Sequence, residues 1–188
     1  MTVVQFRAFV EASGHRPDYP DSLKGPDDHP VVRVSWYDAL AYCRWLSERA
    51  AIPVTLPSEA EWEKAARGTD GRIYPWGDEP PDAGRCNFGG NVGSTTPVGR
   101  YSPRGDSPYG CADMAGNVWE WTRSLYRKYP YDPKDGRENV EAGESRVMRG
   151  GVFYNGVRYV RCAARYGLNP LSWYGSGGFR LVASPVHL

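Results

Sequence analysis

The chain has 188 residues, of which 40% are hydrophobic, so it can bury one substantial core and is expected to form a single domain over residues 1–188. Its 23 Lys and Arg residues nearly balance 22 Asp and Glu residues, and the resulting net charge of +1 argues against binding to nucleic acid or to an anionic membrane. No apolar run is long enough to span a membrane, and the first residues lack the basic and then apolar order of a secretory signal.

Capping residues predict three helices in the first third of the chain. Thr2 can cap the first helix, and Gly14 follows its last turn. Ser35 and Ser58 are each followed three residues later by a carboxylate, which makes a capping box, and Gly68 ends the third helix. The helices are therefore expected over residues 3–12, from 36 to about 50, and from 59 to 67.

Beyond Asp70 the chain is expected to be rich in turns and short strands. It contains 22 Gly and 16 Pro residues, and turn-forming residues recur every few positions in this part. Short hydrophobic runs bounded by glycine are typical of strands, and they occur at residues 146–148, 159–163 and 178–182. Because helices precede strands instead of alternating with them, the expected fold class is α+β.

The run that begins at Val118 is expected to be an extended strand with two different faces. Side chains alternate along a strand, so Trp119 and Trp121 would point to one side while Val118 and Glu120 point to the other. The tryptophan side is expected to be core. The opposite side is then available to bind something.

A calcium site is one interpretation of the turn that precedes this strand. Asp113 and Glu120 supply carboxylate oxygens, and a sharp turn would direct the main-chain carbonyls of Gly116 and Val118 between them. Calcium prefers such a set of hard oxygen ligands. The alternative is a tight turn, a tryptophan-rich core strand and an exposed acid, and the spacing alone leaves both interpretations open.

Six short segments of the chain together resemble one protein family. In chain order they are VSWYDA at 34–39, LPSEAEWEKAARG at 56–68, YPWG at 74–77, DMAGNVWEW at 113–121, RGG at 149–151 and GFR at 178–180. The pattern resembles the formylglycine-generating enzyme (sulfatase-modifying factor) domain family, a variant of the C-type lectin fold. The resemblance runs from Thr2 to Val182 and implies a loop-rich α+β domain with short, irregular strands.

The resemblance carries expectations about metal and partner. Asp113, Gly116, Val118 and Glu120 fall on a calcium site of the family, so a structural calcium ion is expected there. The acidic residue that would complete the family's other calcium site is missing downstream of Asn87, so no second ion is expected. The strands that usually precede the first helix of the family are not found in this sequence, and two alternatives stay open: a partner chain supplies them, or they have been lost.

The copper chemistry of the family is not expected here. The enzyme holds copper with two of its own cysteines, in an interval that corresponds to residues 152–160. That interval contains no cysteine, and Asn155 and Val157 lie approximately where the thiols would be. Monovalent copper needs thiolate ligands, so a non-catalytic protein without copper is expected. The alternatives are a copper-dependent formylglycine-generating oxidase and an accessory domain of an iron-dependent sulfoxide synthase, although the three histidines, at 15, 29 and 187, form no recognisable iron-ligand set.

The cysteines favour a reducing compartment. The chain has four of them, at 43, 86, 111 and 162, and no CxxC pair, which argues against a zinc site. Cys43 and Cys162 match positions that form disulfides in some members of the family. Ala66 and Leu181 stand at the positions of their usual partners, so neither bridge is expected and a cytoplasmic location is favoured.

A ligand-binding face is expected at residues 152–176. The irregular C-terminal segment forms the ligand-binding surface in C-type lectin folds, and here it combines aromatic residues with small polar ones, as adaptable binding surfaces do. The ligand would be a protein or a small molecule. The contact candidates are Phe153, Tyr154, Asn155, Arg158, Tyr159, Tyr166, Asn169, Trp173 and Tyr174.

A narrower interpretation is that this face is diversified. Some members of the family are variable proteins of diversity-generating retroelements, in which adenines of asparagine-like codons are randomised near the C-terminus. Such codons do not yield Lys, Glu, Gln or Met, and residues 152–176 contain none of these four, although Trp173 does not fit the simplest codon scheme. A variable protein and an undiversified binding or accessory domain both stay open.

Five arginines could form an anion site, because guanidinium groups bind carboxylate and phosphate through two hydrogen bonds. Arg149, Arg165 and Arg180 match scaffold segments of the family, so structural ion pairs are expected for them. Arg158 and Arg161 are left open between an anion site and a structural role.

Overall fold

Three helices come first and short strands follow in the computed structural model, which describes residues 1–183. The helices are α1 (Val3–Ser13), α2 (Trp36–Ala50) and α3 (Glu59–Arg67). The strands are β1 (Val54–Thr55), β2 (Trp119–Leu125), β3 (Arg146–Arg149), β4 (Tyr166–Leu168), β5 (Gly177–Phe179) and β6 (Val182–Ala183). Single 3-10 turns cover Pro20–Leu23 and Val157–Tyr159. Within residues 1–183, no helix has the length and apolar character needed to cross a bilayer. The order of the elements confirms the predicted α+β class.

Each helix begins at the capping residue that the sequence predicts. The side chains of Thr2, Ser35 and Ser58 each accept a hydrogen bond from the backbone N–H three residues later. In all three cases the side chain of that third residue accepts in return from the N–H of the cap. Gly14 ends α1 in the left-handed conformation, with a φ of 70°. Local hydrogen bonds therefore define where these helices start.

The main sheet has four strands in the order β4-β3-β2-β5, which places β2 inside it. β2 pairs antiparallel with β3 and parallel with β5. In this register Glu120 lies opposite Arg149 on one side and Gly178 on the other. A second, two-stranded sheet pairs β1 with β6. The strand that carries the predicted metal ligand is thus held along both of its edges.

The prediction of a strand over residues 159–163 is wrong. The segment ends a 3-10 turn at Tyr159 and continues as turns. Val160 and Cys162 are buried while Tyr159 and Arg161 are exposed, and this alternation has the period of a strand although the segment joins neither sheet. The strand predicted over residues 178–182 is interrupted, because β5 and β6 cover only its two ends and belong to different sheets.

The largest hydrophobic core lies between α1, α2 and one side of β2. Phe6 and Phe9 of α1 are buried there together with Trp119 and Trp121 of β2. The indole N–H of Trp121 also donates to the carbonyl oxygen of Val34 at 3.0 Å. Each fully buried ring of this kind stabilises the fold by roughly 1.5–3 kcal/mol. The prediction that the two tryptophans share a core-facing side is confirmed.

The turn before β2 lies directly against the segment around Asn87. Gly116 has a φ of 73°, and a Cβ atom at this position would lie 2.1 Å from the carbonyl oxygen of Asn87. The side chain of Asn117 holds the same segment, because its Oδ1 accepts from the N–H of Thr96 at 2.9 Å and its Nδ2 donates to the Thr96 carbonyl at 3.1 Å. The approach of the two segments therefore requires a residue without a side chain at 116.

Gly116→Ala should destabilise the protein far more than Gly90→Ala. Both glycines have positive φ, so each alanine costs about 1 kcal/mol of backbone strain. A Cβ at Gly90 meets no atom within 4 Å, whereas one at Gly116 meets a main-chain oxygen, which should add about 1–3 kcal/mol. Urea denaturation measures both differences. Equal free energies of unfolding for the two variants would contradict the close approach.

Candidate functional site

The four predicted calcium ligands line one cavity. Asp113, Gly116, Val118 and Glu120 surround a space of about 230 Å³ together with Arg180 and several apolar residues. We call it the acidic cavity. The alternation along β2 explains the arrangement, because Trp119 and Trp121 take the core side and leave Val118 and Glu120 on the opposite one.

Glu120 is engaged by two side chains from distant parts of the chain. Its Oε2 accepts from the indole Nε1 of Trp62 at 2.6 Å and from Nε of Arg180 at 2.5 Å. Its Oε1 accepts from Nη2 of Arg180 at 2.9 Å. The same Nη2 also donates to the carbonyl oxygens of Ala112 and Asp113. The guanidinium of Arg180 therefore neutralises Glu120 and ties it to the turn, as the expected structural role of Arg180 requires.

Asp113 is the carboxylate that this ion pair leaves without a charge partner. Its Oδ2 accepts from the backbone N–H of Gly99 at 2.7 Å, and no Lys, Arg or His of residues 1–183 forms an ion pair with it. Burial raises the pKa of Asp113 above its usual value. The side chains of the cavity, two carboxylates and one guanidinium, carry one net negative charge. The α-amino group of Met1 also lines the cavity, and burial lowers its pKa to about 6, so it adds little positive charge at neutral pH.

The donors of the acidic cavity fit a hard cation. The Asp113 carboxylate carries the charge that no side chain pairs with, and Gly116 and Val118, whose carbonyl groups are hard oxygen donors, line the same cavity. The Gly116 carbonyl accepts from the N–H of Val118 at 2.9 Å but retains a second lone pair. Glu120 could act as a ligand of the cation only while it also binds Arg180. The sequence does not predict this ion pair, because the two residues are 60 positions apart.

Arg149 and Arg165 have the structural roles that were expected for them. Arg149 is completely buried and pairs with Glu63, while its Nη1 donates to the carbonyl of Ala164. Arg165 donates to both carboxylate oxygens of Glu59, at 2.5 and 2.7 Å. These pairs join α3 to the end of β3 and to the segment before β4.

Five of the nine predicted contact residues form a partly exposed aromatic face, which we define as Phe153, Tyr154, Tyr166, Trp173 and Tyr174. The hydroxyl groups of Tyr154 and Tyr174 are hydrogen-bonded at 2.7 Å. The ring of Tyr154 packs edge-on against Phe153, and that of Tyr174 packs against Tyr166. Tyr166 in turn contacts the buried ring of Trp119, with ring centroids 5.8 Å apart. The face is thereby fastened to the core at one end.

Trp173 has a partner that the sequence did not reveal. Its indole stacks on the ring of Tyr19, with centroids 4.1 Å apart and planes 6° from parallel. Tyr19 belongs to the polar loop between α1 and α2 and carries no pattern that distinguishes it from the other tyrosines. The aromatic face therefore extends beyond residues 152–176.

The other four contact candidates do not belong to the aromatic face. The amide oxygens of Asn155 and Asn169 accept from backbone N–H groups of their own turns, those of Val152 and Leu171. The two asparagines thus shape the backbone of the segment. Arg158 and Tyr159 line a separate hollow that opens beside Tyr126.

The thiols do not fit a copper ion held by two thiolates. Cys43, Cys86 and Cys162 are buried, and this burial raises the pKa of each to about 12, so all three are protonated at neutral pH. All four cysteines are free. At the positions where the family places its copper ligands stand Asn155, in a turn, and Val157, in the 3-10 turn.

The two histidines within residues 1–183 have structural partners. Nε2 of His15 lies 2.7 Å from a carboxylate oxygen of Asp38, and Nδ1 of His29 lies 2.8 Å from the hydroxyl of Thr95. His187 lies outside the described residues. Residues 1–183 contain no cluster of three or more His, Cys, Asp or Glu side chains arranged to hold a metal ion.

The chain matches the sulfatase-modifying factor enzyme 1-like domain over residues 1–185. The formylglycine-generating enzyme of Streptomyces coelicolor is 40% identical over 190 residues, which cover 90% of this chain and 57% of that enzyme. Across four formylglycine-generating enzymes the chain spans between 49% and 61% of the relative's length.

Two solved structures extend the comparison to the fold. PvdO from Pseudomonas aeruginosa superposes with a TM-score of 0.80 and 28% identity, covering 97% of this chain and 77% of PvdO. Treponema denticola variable protein 1 superposes with a TM-score of 0.74 and 24% identity, covering 98% of this chain and 82% of that protein. At that identity the second similarity is one of fold alone.

Proposed function

The chain belongs to the sulfatase-modifying factor enzyme 1-like domain family, and from this premise we propose that it is a non-catalytic ligand-binding protein whose binding face lies within residues 152–176. The observation that carries the proposal is the exposure of large aromatic rings on this segment. Tyr154, Tyr166 and Trp173 are 46%, 40% and 47% exposed. Single exposed apolar residues are common, whereas contiguous exposed patches often mark binding sites, and Tyr154, Tyr174 and Tyr166 are in contact with one another.

The aromatic face has the physical properties of a binding surface. Tyrosine and tryptophan provide large contact areas at a low cost in side-chain entropy, because each has only two rotatable side-chain bonds. Contacts of Tyr166 with Trp119 and of Trp173 with Tyr19 hold the rings in place before any ligand arrives. The segment itself is irregular and lies on a rigid scaffold, as binding loops generally do.

The absence of thiolate ligands from residues 152–160 supports the non-catalytic interpretation. The copper-dependent oxidation of a substrate cysteine needs a pair of thiolates, and the buried thiols of this chain are protonated. The chain therefore lacks the copper ligands that one of the two enzyme alternatives, the copper-dependent oxidase, requires.

Calcium is proposed as a structural ion of the acidic cavity. Asp113 and the carbonyl groups of Gly116 and Val118 would hold it, with Glu120 shared between the ion and Arg180. The charge of Asp113 supports this proposal, because placing a carboxylate in a partly buried position without a cation is costly. The ion would fix the turn between Asp113 and Val118, which has few strand hydrogen bonds of its own.

Calcium should raise the melting temperature of the wild-type protein relative to excess chelator. At a calcium concentration about 100-fold above its Kd, binding adds about 2.7 kcal/mol, equivalent to a shift on the order of 5–10 °C for a chain of this size. Asp113→Asn should abolish the shift. In chelator, the same variant should melt no lower than wild type, because it removes an unpaired buried charge but keeps an acceptor for Gly99.

Asp28→Asn is the matched control, since Asp28 is exposed and lies outside the acidic cavity. It should retain the full calcium shift. Identical melting curves of wild type in calcium and in chelator would remove the ion from the proposal. In that case Arg180 would be the cation that neutralises the carboxylates of the acidic cavity.

Trp173→Ala and Tyr154→Ala should each weaken ligand binding at least tenfold. Central aromatic residues of an interface carry much of its binding energy. Affinity enrichment from extracts of the source cells identifies the ligand, and calorimetry with the purified ligand then gives Kd for each variant. Tyr109→Ala serves as the control, because Tyr109 is exposed but lies far from residues 152–176 in the chain.

A ligand that all three variants bind as tightly as wild type would contradict the proposed face. An assay of copper-loaded protein with a cysteine-containing peptide addresses the enzyme alternative. Formation of a peptide aldehyde over many turnovers would establish oxidase activity and overturn the non-catalytic proposal.

A diversified origin of the face is the narrower part of the proposal. It is supported by the lack of Lys, Glu, Gln and Met in residues 152–176 and by the similarity of fold to a variable protein. The flanking DNA should then contain a reverse transcriptase gene and a near-copy of the segment that differs at adenines. A single copy without such a neighbour would show that the face is not diversified.

A further inference from the structure

A second concave site is formed mainly by residues 158–165, which directly precede Tyr166 of the aromatic face in the chain. It is a hollow of about 440 Å³, larger than the acidic cavity, and we call it the arginine hollow. Its volume falls within the range of small-molecule sites, roughly 300–1,000 Å³. Its lining residues are Tyr126, Arg158, Tyr159, Arg161, Ala163, Ala164 and Arg165.

The hollow carries positive charge that the described part of the protein does not neutralise. Arg165 is bound by both oxygens of Glu59. Arg158 and Arg161, in contrast, form no ion pair with any carboxylate of residues 1–183, and both are exposed. Most other arginines of residues 1–183 pair with a carboxylate. Two guanidinium groups therefore remain available at one hollow.

Internal contacts orient these two guanidinium groups without using up their donors. Nη2 of Arg158 donates to the hydroxyl of Tyr159 at 2.7 Å, and the guanidinium lies 4.6 Å from the centre of the same ring. Nε of Arg161 donates to the carbonyl oxygen of Arg158 at 3.0 Å. Each side chain is thus bound at one N–H edge, and the remaining N–H groups are free to bind a ligand.

The walls and floor suit an organic body attached to the anion. The rings of Tyr126 and Tyr159 are 48% and 36% exposed and can pack against an apolar or aromatic group. Ala163 and Ala164 are small and leave room between them. The Tyr126 ring is held by Arg165, whose guanidinium lies 4.7 Å from the ring centre.

We propose that the arginine hollow binds an organic anion, in which a phosphate monoester or a carboxylate is attached to an apolar or aromatic body. Arg158 and Arg161 would bind the anionic group through paired N–H donors, and Tyr126 and Tyr159 would contact the organic part. The inference rests on the proposed function, because Arg158 and Tyr159 belong to residues 152–176, and it adds the chemical class of the ligand.

The test uses phenyl phosphate, benzoate and benzyl alcohol as probes of the intact protein, with binding followed by NMR chemical-shift changes. We expect phenyl phosphate or benzoate to bind saturably and the neutral alcohol not to bind. The anion with the lower Kd shows whether the hollow prefers a phosphate or a carboxylate. Binding should weaken as salt is raised, because exposed charges are screened.

The Arg158→Gln/Arg161→Gln double variant should weaken binding of the anion at least tenfold. Its thermal unfolding should match that of wild type, because both side chains are exposed and make only local contacts. Arg44→Gln is the matched control, since Arg44 is an exposed residue of α2 outside the hollow. It should bind as wild type does.

Three results would overturn the inference: no saturable binding of either anion, equal binding of the neutral probe, or unchanged binding in the double variant. Failure here is distinguishable from failure of the proposed function. If the anions do not bind but Trp173→Ala still weakens binding of the ligand identified by affinity enrichment, the proposed aromatic face is supported and the proposed arginine hollow is wrong. If the anions bind through Arg158 and Arg161 while Trp173→Ala and Tyr154→Ala do not change the Kd of the identified ligand, the arginine hollow is supported and the aromatic face is not.

Discussion

The carboxylate of Glu120 is the contact on which the arrangement of the acidic cavity and the strand behind it depends. It lies in the middle of β2 and binds Trp62 of α3 and Arg180, which follows β5. One side chain therefore joins a helix, the central strand and the segment between the two sheets. Removing one partner of a buried pair of this kind typically costs about 3–5 kcal/mol, because the other charge is left unpaired. The same group defines one wall of the acidic cavity.

β2 separates the hydrophobic core from the acidic cavity. On one side its tryptophans complete the core, and on the other Val118 and Glu120 line the acidic cavity. The antiparallel partners β3 and β4 then lead to the exposed segment, where Tyr166 touches Trp119. The buried rings of the core come from α1, α2, β2 and β5, and Phe153 and Tyr174 pack against its edge while partly exposed. Tyr154 and Tyr166 lie further out and are exposed.

The sequence predicted what local interactions decide and missed what distant contacts decide. Helix starts depend on bonds across three residues, and all three were predicted from Thr2, Ser35 and Ser58. The gathering of Asp113 and Glu120 was also predictable, because a single turn and one strand connect them. The ion pair of Arg180 with Glu120 could not be inferred, since it joins residues 60 positions apart. The strand over residues 159–163 was predicted from its residue types and bounding glycines, which do not reveal that this segment pairs with neither sheet.

The stack of Trp173 on Tyr19 has a consequence for any attempt to transplant the binding surface onto another scaffold. One ring comes from the C-terminal segment and the other from the loop that follows α1. A graft of residues 152–176 alone would lose half of this pair and leave the indole unsupported. Conversely, when a new segment is exchanged into this scaffold, Tyr19 remains as a constant ring that favours a flat residue opposite it. The transferable unit is therefore two segments, separated in the chain by more than a hundred residues.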